Sequence, residues 1–320
     1  MNIALIYDYE ELPKDESVEF FEEKSLNCGT SLRESFRELG CTVRTFCLNK
    51  SKSGNGLADL KKAMTQGYNP DVVYLQNAGE LTRPVMETWN KSNFQNTLMV
   101  AEVCDEWQIY SYNLPWARKA DLVLTPDHQC VLEYAREGAL AFWVPHWVDE
   151  RVFAYNGEVK SRGCTTTSKP SAWKNQRGFN LFNDKLQEVF KDNFSNPCYD
   201  KGGDYISIED NGKLYKESKI VWQFSSSGDW TRRIWEGAAA KALVITDKLH
   251  PVRCAHQLAI EDEEIIYYTN LGDCIEKITY YLEHPIEREK IAQRLYERTM
   301  RDHTGLARAR QIKEILAYAV

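Results

Sequence analysis

Hydrophobic and polar residues follow two different periods along the first half of the chain. Short apolar runs, typical of buried strands, alternate with segments whose apolar residues recur every three or four positions, as in amphipathic helices. The pattern predicts strands over 2–7, 41–47, 70–75, 99–103 and 120–124, and a helix over 30–39 that ends at Gly40. Strands that alternate with helices form parallel sheets. We therefore expect a doubly wound α/β domain here.

The second half repeats this alternation after a polar stretch over 156–175, which contains Gly157, Gly163 and Lys169-Pro170. Turn-forming residues of this kind mark domain boundaries. Beyond them the pattern predicts strands at 163–168, 219–224 and 243–246, and helices over 179–190, 231–240, 271–282, 286–302 and 306–319. We thus predict an N-terminal domain over 1–155, a second α/β domain over 156–302, and a C-terminal helix within 303–320 that can pack back on the first domain.

Composition excludes several classes of protein. Of the 320 residues 43% are hydrophobic and 27% charged, an ordinary balance for a folded soluble protein. The net charge of −7 gives no general attraction to nucleic acid, which would need a local basic patch. The nine cysteines stand singly, without the paired spacing of zinc sites or disulfide frameworks. No apolar stretch approaches the ~18 residues of a membrane span, so we expect a cytoplasmic protein.

Candidate chemistry is concentrated in the segment DWTRRIWEGAAAKALVITD, residues 229–247. Thr231 can begin a helix, and Arg233 and Glu236 lie three residues apart on one face of it. The positive end of a helix dipole favours bound anions, so this helix start can serve as an anion site. A solvent-exposed ion pair between Arg233 and Glu236 is the alternative.

Three blocks of sequence carry a family resemblance. The segment 233–247 resembles the signature R-x-F-E-A-x-A-x-G-x-x-x-x-T-D of group-1 glycosyltransferases, in the branch related to the CgeB spore-maturation proteins. Pro145, Asp149 and Phe153 fit the hinge that follows the N-terminal domain in that family, and residues 265–316 resemble its C-terminal tail. The resemblance implies the GT-B fold, in which two Rossmann-like doubly wound domains face each other across a cleft.

The same resemblance implies transfer of a sugar from a nucleotide-diphosphate sugar, bound by the C-terminal domain, to an acceptor hydroxyl. Glu236 would accept hydrogen bonds from the ribose, and Arg177 and Arg233 would hold the diphosphate. Asp229 stands one position out of register with the first acidic residue of the related family. The full predicted donor set is Lys174, Arg177, Asp229, Arg232, Arg233, Glu236 and Asp247. No Asp-x-Asp follows a predicted strand, so we expect transfer without a metal or other cofactor.

On the acceptor side, Asp105 follows the strand predicted over 99–103. The carboxyl ends of parallel strands are where ligands bind, so Asp105 can act as the general base of an inverting enzyme. Capping of the next helix is its alternative role. Asp8 and Asn77, which follow other predicted strands, are further acceptor-side candidates. The predicted catalytic set is Asp105, Arg233 and Glu236.

Three functions remain open at this stage. The acceptor of a glycosyltransferase can be a glycan, a lipid or a small molecule. It can also be a hydroxylated base in DNA, as in phage-type modification, which would need a basic track along the cleft. The third possibility is a nucleotide-sugar binding protein without catalysis, because function belongs to the site and not to the fold. A nucleotide-sugar epimerase shares the same architecture.

Overall fold

Two parallel sheets form the frame of the molecule, as the sequence pattern predicts. The computed structural model describes residues 1–9, 28–49, 56–76, 90–94, 96–168, 176–200, 206–225, 228–250 and 258–319. The chain divides into two compact units, one of Met1–Pro145 with Gly305–Val320 and one of His146–Thr304. Among the described helices, none is both long enough and apolar enough to cross a bilayer.

Unit 1 carries six parallel strands in the order β2-β1-β3-β4-β5-β6. Its elements are β1 (Asn2–Tyr9), α1 (Cys28–Glu38), β2 (Thr42–Asn49), α2 (Gly56–Thr65), β3 (Val72–Leu75), β4 (Leu98–Glu102), α3 (Glu106–Ala117), β5 (Leu122–Thr125), α4 (His128–Arg136) and β6 (Ala141–Trp143). Residues 72–75 are fully buried, which explains why β3 reads as an uninterrupted apolar run. The strand order reverses between β1 and β3.

Unit 2 carries five parallel strands in the order β11-β10-β9-β7-β8. Its elements are α5 (Glu150–Phe153), β7 (Arg162–Thr165), α6 (Gln176–Phe190), β8 (Phe194–Ser195), α7 (Pro197–Asp200), α8 (Ile208–Lys216), β9 (Ser218–Gln223), α9 (Arg232–Ala239), β10 (Leu243–Asp247), β11 (Ile266–Tyr268), α10 (Leu271–Glu283) and α11 (Pro285–Asp302). The strand order reverses between β7 and β9, and helix α12 (Gly305–Ala319) follows in unit 1.

Segment 146–155, which the sequence analysis assigns to the first domain, packs within unit 2 in the structure. The backbone N–H of Val148 donates to the carbonyl of His303 at 2.9 Å. At the other end of the segment, the Tyr155 N–H donates to the Ala239 carbonyl at 2.9 Å. These bonds hold both ends of the segment against helices of unit 2.

Helix α12 packs on unit 1 instead. Lys313 Nζ donates to the carbonyl of Leu39 at the end of α1, at 2.7 Å. Gln311 Nε2 donates to the carbonyl of Trp143 in β6, at 3.1 Å. The last helix of the chain therefore belongs to the same unit as the first strand.

The core of unit 2 is built around Trp222 in β9, which is fully buried. The rings of Phe179, Phe182 and Phe194 surround it with centroids 5.9, 6.4 and 6.1 Å away. On the other side of β9, α9 approaches closely because Gly237 has no side chain, and a Cβ there would lie 3.0 Å from Val221 Cβ. Small residues in α9 thus allow it to lie flat on the sheet.

Candidate functional site

The reversal of strand order in unit 2 marks a position where parallel α/β sheets bind ligands. In open α/β sheets ligands bind where the carboxyl ends of two strands diverge at such a point, here β7 and β9. Helix α6 follows β7 and helix α9 follows β9, so both helices begin at this edge. Their first-turn N–H groups lack intrahelical partners and favour an anion there.

Helix α9 begins with an unusual cap. Thr231 occupies the N-cap position with extended backbone angles of φ −77° and ψ 157°, but its side chain makes no capping hydrogen bond. Its Oγ1 is buried and has no hydrogen-bond partner within the described part of the chain. The first two helical residues, Arg232 and Arg233, are half-buried. The Arg232 guanidinium lies 5.9 Å from the centre of the Trp147 ring.

Glu236 lies one turn further along α9 and is only 9% exposed. Burial in a poorly solvated environment raises the pKa of its carboxyl group, while Arg233, Arg232 and the Asn211 side chain oppose that shift. The net direction is upward, so the protein does not fully compensate the carboxylate charge. Arg233 and Glu236 both lie in α9, three residues apart, and Glu236 is not the surface residue that a solvent-exposed ion pair would require.

Helix α8 supplies the neighbours of this carboxylate. Asn211 and Tyr215 both lie in α8, one turn apart. The Tyr215 hydroxyl bonds to Thr167 Oγ1 at 2.7 Å, which ties α8 to the chain leaving β7. Burial raises the pKa of Tyr215, with a further contribution from the negative charge of Glu236, so this hydroxyl stays protonated.

Buried polar side chains continue across the diverging strand ends. Ser168 Oγ donates to Gln223 Oε1 at 3.2 Å, and Asn196 Nδ2 donates to the Ser168 carbonyl at 2.8 Å. Gln223 is fully buried, and its Nε2 finds no acceptor among the described residues. A buried N–H donor without an acceptor costs stability. The Gln223 amide at the switch point would therefore be stabilised by a ligand atom that accepts its hydrogen bond.

Asp247, at the carboxyl end of β10, is engaged inside the protein. Its carboxylate accepts from the Ser225 backbone N–H at 2.7 Å and from Ser225 Oγ at 2.6 Å. Ser225 Oγ in turn accepts from the N–H of Gly228 at 2.8 Å. Burial raises the pKa of Asp247, while its bonds to Ser225 and Thr246 work in the opposite direction. Asp247 therefore shapes the connection that leads into α9.

Gly228 is required by that connection. Its φ of +68° is in the left-handed region, and an added Cβ would lie 2.6 Å from the backbone nitrogen of His250. The His250 N–H donates to the Gly228 carbonyl at 2.7 Å. Asp229 follows directly and is half-buried, three residues before α9 begins at Arg232.

Asp105 lies in unit 1, at the N-cap position of α3 after the carboxyl end of β4. Its backbone is left-handed, with φ 52° and ψ 34°, and its side chain makes no capping hydrogen bond. Asn113 Nδ2 donates to the neighbouring Cys104 carbonyl at 2.8 Å and fixes the loop. Left-handed backbone at a residue other than glycine is uncommon and is concentrated at functional positions.

The remaining predicted residues are described in part or not at all. Lys174 and Asn77 lie outside the described residues. Arg177 is the second residue of α6 and Asp8 lies within β1, but the structure does not describe their side chains. In the described part of the chain, no group of three or more His, Cys, Asp or Glu side chains is arranged to hold a metal ion.

Sequence reasoning missed the residues that complete the site in unit 2. They are Thr167, Ser168, Asn211, Tyr215, Gln223 and Ser225. The run of three threonines at 165–167 is the one local signal, because polar residues directly after a buried strand lie at the ligand-binding edge.

Comparison with known proteins gives two findings. Residues 172–314, somewhat less than half of the chain, match a family model described as glycosyl transferase-like. No curated protein sequence matches the chain.

Solved structures resemble the whole chain. HepE of Anabaena, solved with UDP and glucose, is 13% identical over 99% of this chain and 100% of its own, with a TM-score of 0.65. Sucrose-phosphate synthase of Thermosynechococcus elongatus is 12% identical over 99% and 98%, with a TM-score of 0.65. A glycosyltransferase of Rickettsia africae is 14% identical over 99% and 98%, with a TM-score of 0.63. At these identities the likeness establishes the fold. The chain thus has the GT-B fold, and its residues 172–314 form a glycosyl transferase-like domain.

Proposed function

We propose that the protein is a glycosyltransferase that takes a sugar from a nucleotide-diphosphate donor bound in unit 2. The observation that carries this proposal is the burial of Glu236 beside Arg233 and Asn211, one turn inside a helix that begins at the strand switch point. Asn211 and the two arginines compensate the charge of this carboxylate only in part, which favours a further partner that donates hydrogen bonds. Vicinal ribose hydroxyls are such a partner.

The start of α9 supports the diphosphate. Arg232 and Arg233 are its first two residues, next to first-turn N–H groups. The leaving nucleoside diphosphate gains negative charge as the glycosidic bond breaks, and fixed cations stabilise that charge most where water is excluded. Arg177 would contribute from the first turn of α6. In this proposal arginines and helix dipoles balance the leaving-group charge, so a divalent cation is not required.

Ser225 and Asp247 have a positioning role in this scheme. Their paired hydrogen bonds fix the turn at Gly228 that sets where α9 begins. We accordingly assign Asp247 to the shape of the donor site and not to direct contact with the donor.

The acceptor reaction is assigned to Asp105. The acceptor hydroxyl attacks the anomeric carbon, its proton passes to the Asp105 carboxylate, and the bond from that carbon to the diphosphate oxygen breaks. The strained, uncapped position of Asp105 at the carboxyl edge of the unit 1 sheet supports this role. The donor proposed for testing is a UDP-sugar, because HepE of Anabaena is described with UDP and with UDP-glucose.

Donor hydrolysis and binding test the proposal together. Calorimetry and thermal shift with UDP-, GDP-, dTDP- and CDP-sugars identify the nucleotide, since a ligand at a hundredfold its dissociation constant adds about 2.7 kcal/mol of stability. We expect UDP-glucose to bind and to be hydrolysed slowly without acceptor. Binding without hydrolysis or transfer to any glycan, lipid or small-molecule acceptor would instead support a nucleotide-sugar binding protein.

A further inference from the structure

A cavity of about 370 Å³ lies at the amino edge of the unit 2 sheet, the edge opposite the switch point. Lys160 precedes β7, Lys219 is the second residue of β9, and Lys241 precedes β10. Tyr155 and the first half of α11 complete the lining, the latter through Arg288 and Glu289 among others. A cavity of this volume is in the range that holds a small molecule.

The lining is strongly basic. Of the lining residues that the structure describes, four carry positive side chains and one, Glu289, is acidic. This is unexpected in a chain whose net charge is −7. Arg288 is only 6% exposed, and its Nη1 donates to the carbonyl of Tyr281 at 2.9 Å. A backbone carbonyl thus holds the Arg288 guanidinium at the cavity wall, in addition to the neighbouring Glu289 carboxylate.

Lys160 lies close enough to Lys241 and Arg288 for their positive charges to act on it. Its Nζ donates to the carbonyl of Ala240, at the end of α9, at 2.6 Å. Burial lowers the pKa of Lys160, the negative charge of Glu158 opposes this, and the positive charges of Lys241 and Arg288 lower it again, so that the pKa is about 7 in all. An anion among these cations would offset their like charges.

Lys241 occupies a backbone position that disfavours it. It follows the C-cap of α9 with φ +54°, a left-handed conformation that helices usually assign to glycine. The Nζ atom of Lys241 lies 5.5 Å from the centre of the Tyr155 ring, and the Nζ atom of Lys160 lies 5.0 Å from the centre of the same ring. Both ammonium groups are thus gathered against one aromatic wall of the cavity.

We propose that this cavity binds a soluble phosphorylated small molecule, whose phosphate or pyrophosphate group is held by Lys160, Lys241 and Arg288. Several convergent cations around one cavity fit a compact group with two or more negative charges. This ligand site and the proposed donor site lie at opposite ends of α9. Occupancy of the cavity requires neither a donor sugar nor turnover.

Titration of the whole protein with pyrophosphate, inorganic phosphate and glucose 6-phosphate tests the proposal, at matched ionic strength in potassium chloride. We expect saturable binding by calorimetry and a rise in melting temperature. Lys241→Gly removes one cation and also relieves the left-handed strain, so this variant should fold at least as stably as the wild type. It should weaken pyrophosphate binding by about tenfold or more, as should Lys160→Met.

Two control variants locate the response. Lys185→Ala removes an exposed lysine of α6 outside the cavity and should bind pyrophosphate like the wild type. Arg233→Ala alters the proposed donor site, which can itself hold a diphosphate, so in this variant the part of the pyrophosphate response that depends on Lys241 should remain. A response lost in Arg233→Ala but kept in Lys241→Gly would place the anion at the donor site and overturn the proposal. Absence of any response in the wild type at millimolar ligand would overturn it as well.

Two further measurements sharpen the result. The charge of sulfate is the same at pH 6 and at about pH 8.5, so a change in its affinity between these pH values reports on the protein. Protonation of Lys160 should make sulfate bind more tightly at the lower pH. This pH dependence should be absent in Lys160→Met. The charged residues Lys219, Lys241, Arg288 and Glu289 line the same cavity, and Glu158 acts on the Lys160 charge from outside the lining. Sedimentation with phosphatidylserine vesicles should show no binding that depends on Lys241. Such binding would identify a lipid headgroup and overturn the choice of a soluble ligand.

Discussion

Asp247 and Ser225 are joined by two short hydrogen bonds, from the Ser225 N–H at 2.7 Å and from its hydroxyl at 2.6 Å. The two residues come from the carboxyl ends of neighbouring parallel strands, β10 and β9. Through Gly228 this pair fixes the turn that leads into α9. The position of the proposed diphosphate site therefore depends on a carboxylate that we expect never to touch the donor.

Asp247→Ala should remove both bonds and leave the Ser225 groups without their acceptor. We expect a loss of about 1–3 kcal/mol in the free energy of unfolding. The affinity of the folded Asp247→Ala variant for UDP, measured by calorimetry, should also fall. Asp273→Ala is the matched control, because Asp273 also accepts from a backbone N–H and a hydroxyl, those of Thr269, in the same unit. Equal losses of UDP affinity in both variants would contradict a positioning role for Asp247.

Glu236→Gln should separate stability from binding. Because burial raises the pKa of Glu236, the folded protein holds this proton more tightly than the unfolded chain does. The folded state therefore loses stability as pH rises through that pKa, and the penalty is complete above it. At pH 7.5 the melting temperature of the variant should be at least that of the wild type. A gain of about 1 kcal/mol in the free energy of unfolding would raise it by ~2–4 °C. The difference should disappear below the pKa of an unfolded glutamate, about 4.3.

The same Glu236→Gln variant should bind UDP more weakly, although it is no less stable. Ribose hydroxyls that donate to a carboxylate form stronger bonds than those that donate to an amide. UDP affinity of the wild type should also fall as pH is lowered towards the raised pKa, and the variant should lack this dependence. If Glu236→Gln is less stable than the wild type and binds UDP with unchanged affinity, Glu236 does not bind the ribose hydroxyls.

Arg233→Ala should weaken UDP binding by about tenfold or more, since a buried charge-assisted hydrogen bond contributes roughly 1.5–3 kcal/mol. Uridine itself, which lacks phosphates, should bind the variant and the wild type alike. Arg294→Ala is the control, because Arg294 is an arginine of α11 that pairs with exposed Glu263. If uridine binding falls as much as UDP binding, Arg233 acts on the fold and not on the diphosphate.

Asp105→Gly and Asp105→Asn test the proposed base. Glycine suits φ 52°, so Asp105→Gly should gain up to about 1 kcal/mol of stability, and asparagine also tolerates this conformation. Both variants should bind UDP-glucose like the wild type and lose sugar transfer by a factor of ~10²–10⁴. Full transfer by Asp105→Asn would show that another group takes the acceptor proton.

Much of the fold follows from local pattern. The buried strand β3 is a continuous apolar run, β9 has the apolar centre Ile220–Trp222, and the long helices of the C-terminal tail show clear three- and four-residue spacing. Helix α8 was not predicted, because its sequence IEDNGKLYK is polar and contains Gly212. That glycine is needed for packing, since a Cβ would lie 2.7 Å from Val152 Cγ1. Tertiary contact overrides the low helical propensity.

Some residues of the site can likewise be predicted from local sequence, and others cannot. Arg233 and Glu236 could be found because their relationship is local, three residues apart on one helix. Thr167 and Tyr215 could not, because their hydrogen bond joins positions 48 residues apart. For Asp105 the sequence left a cap and a base as alternatives. The residue does lie at the cap position, but its side chain does not cap.

A crystal structure of the chain with UDP is the most direct test of the donor site. The account predicts ribose oxygens within about 2.7–3.2 Å of the Glu236 carboxylate and the diphosphate at the first turn of α9, near Arg233. Uridine density away from α9, or a diphosphate bound only among Lys160, Lys241 and Arg288 at the other edge of the sheet, would contradict it.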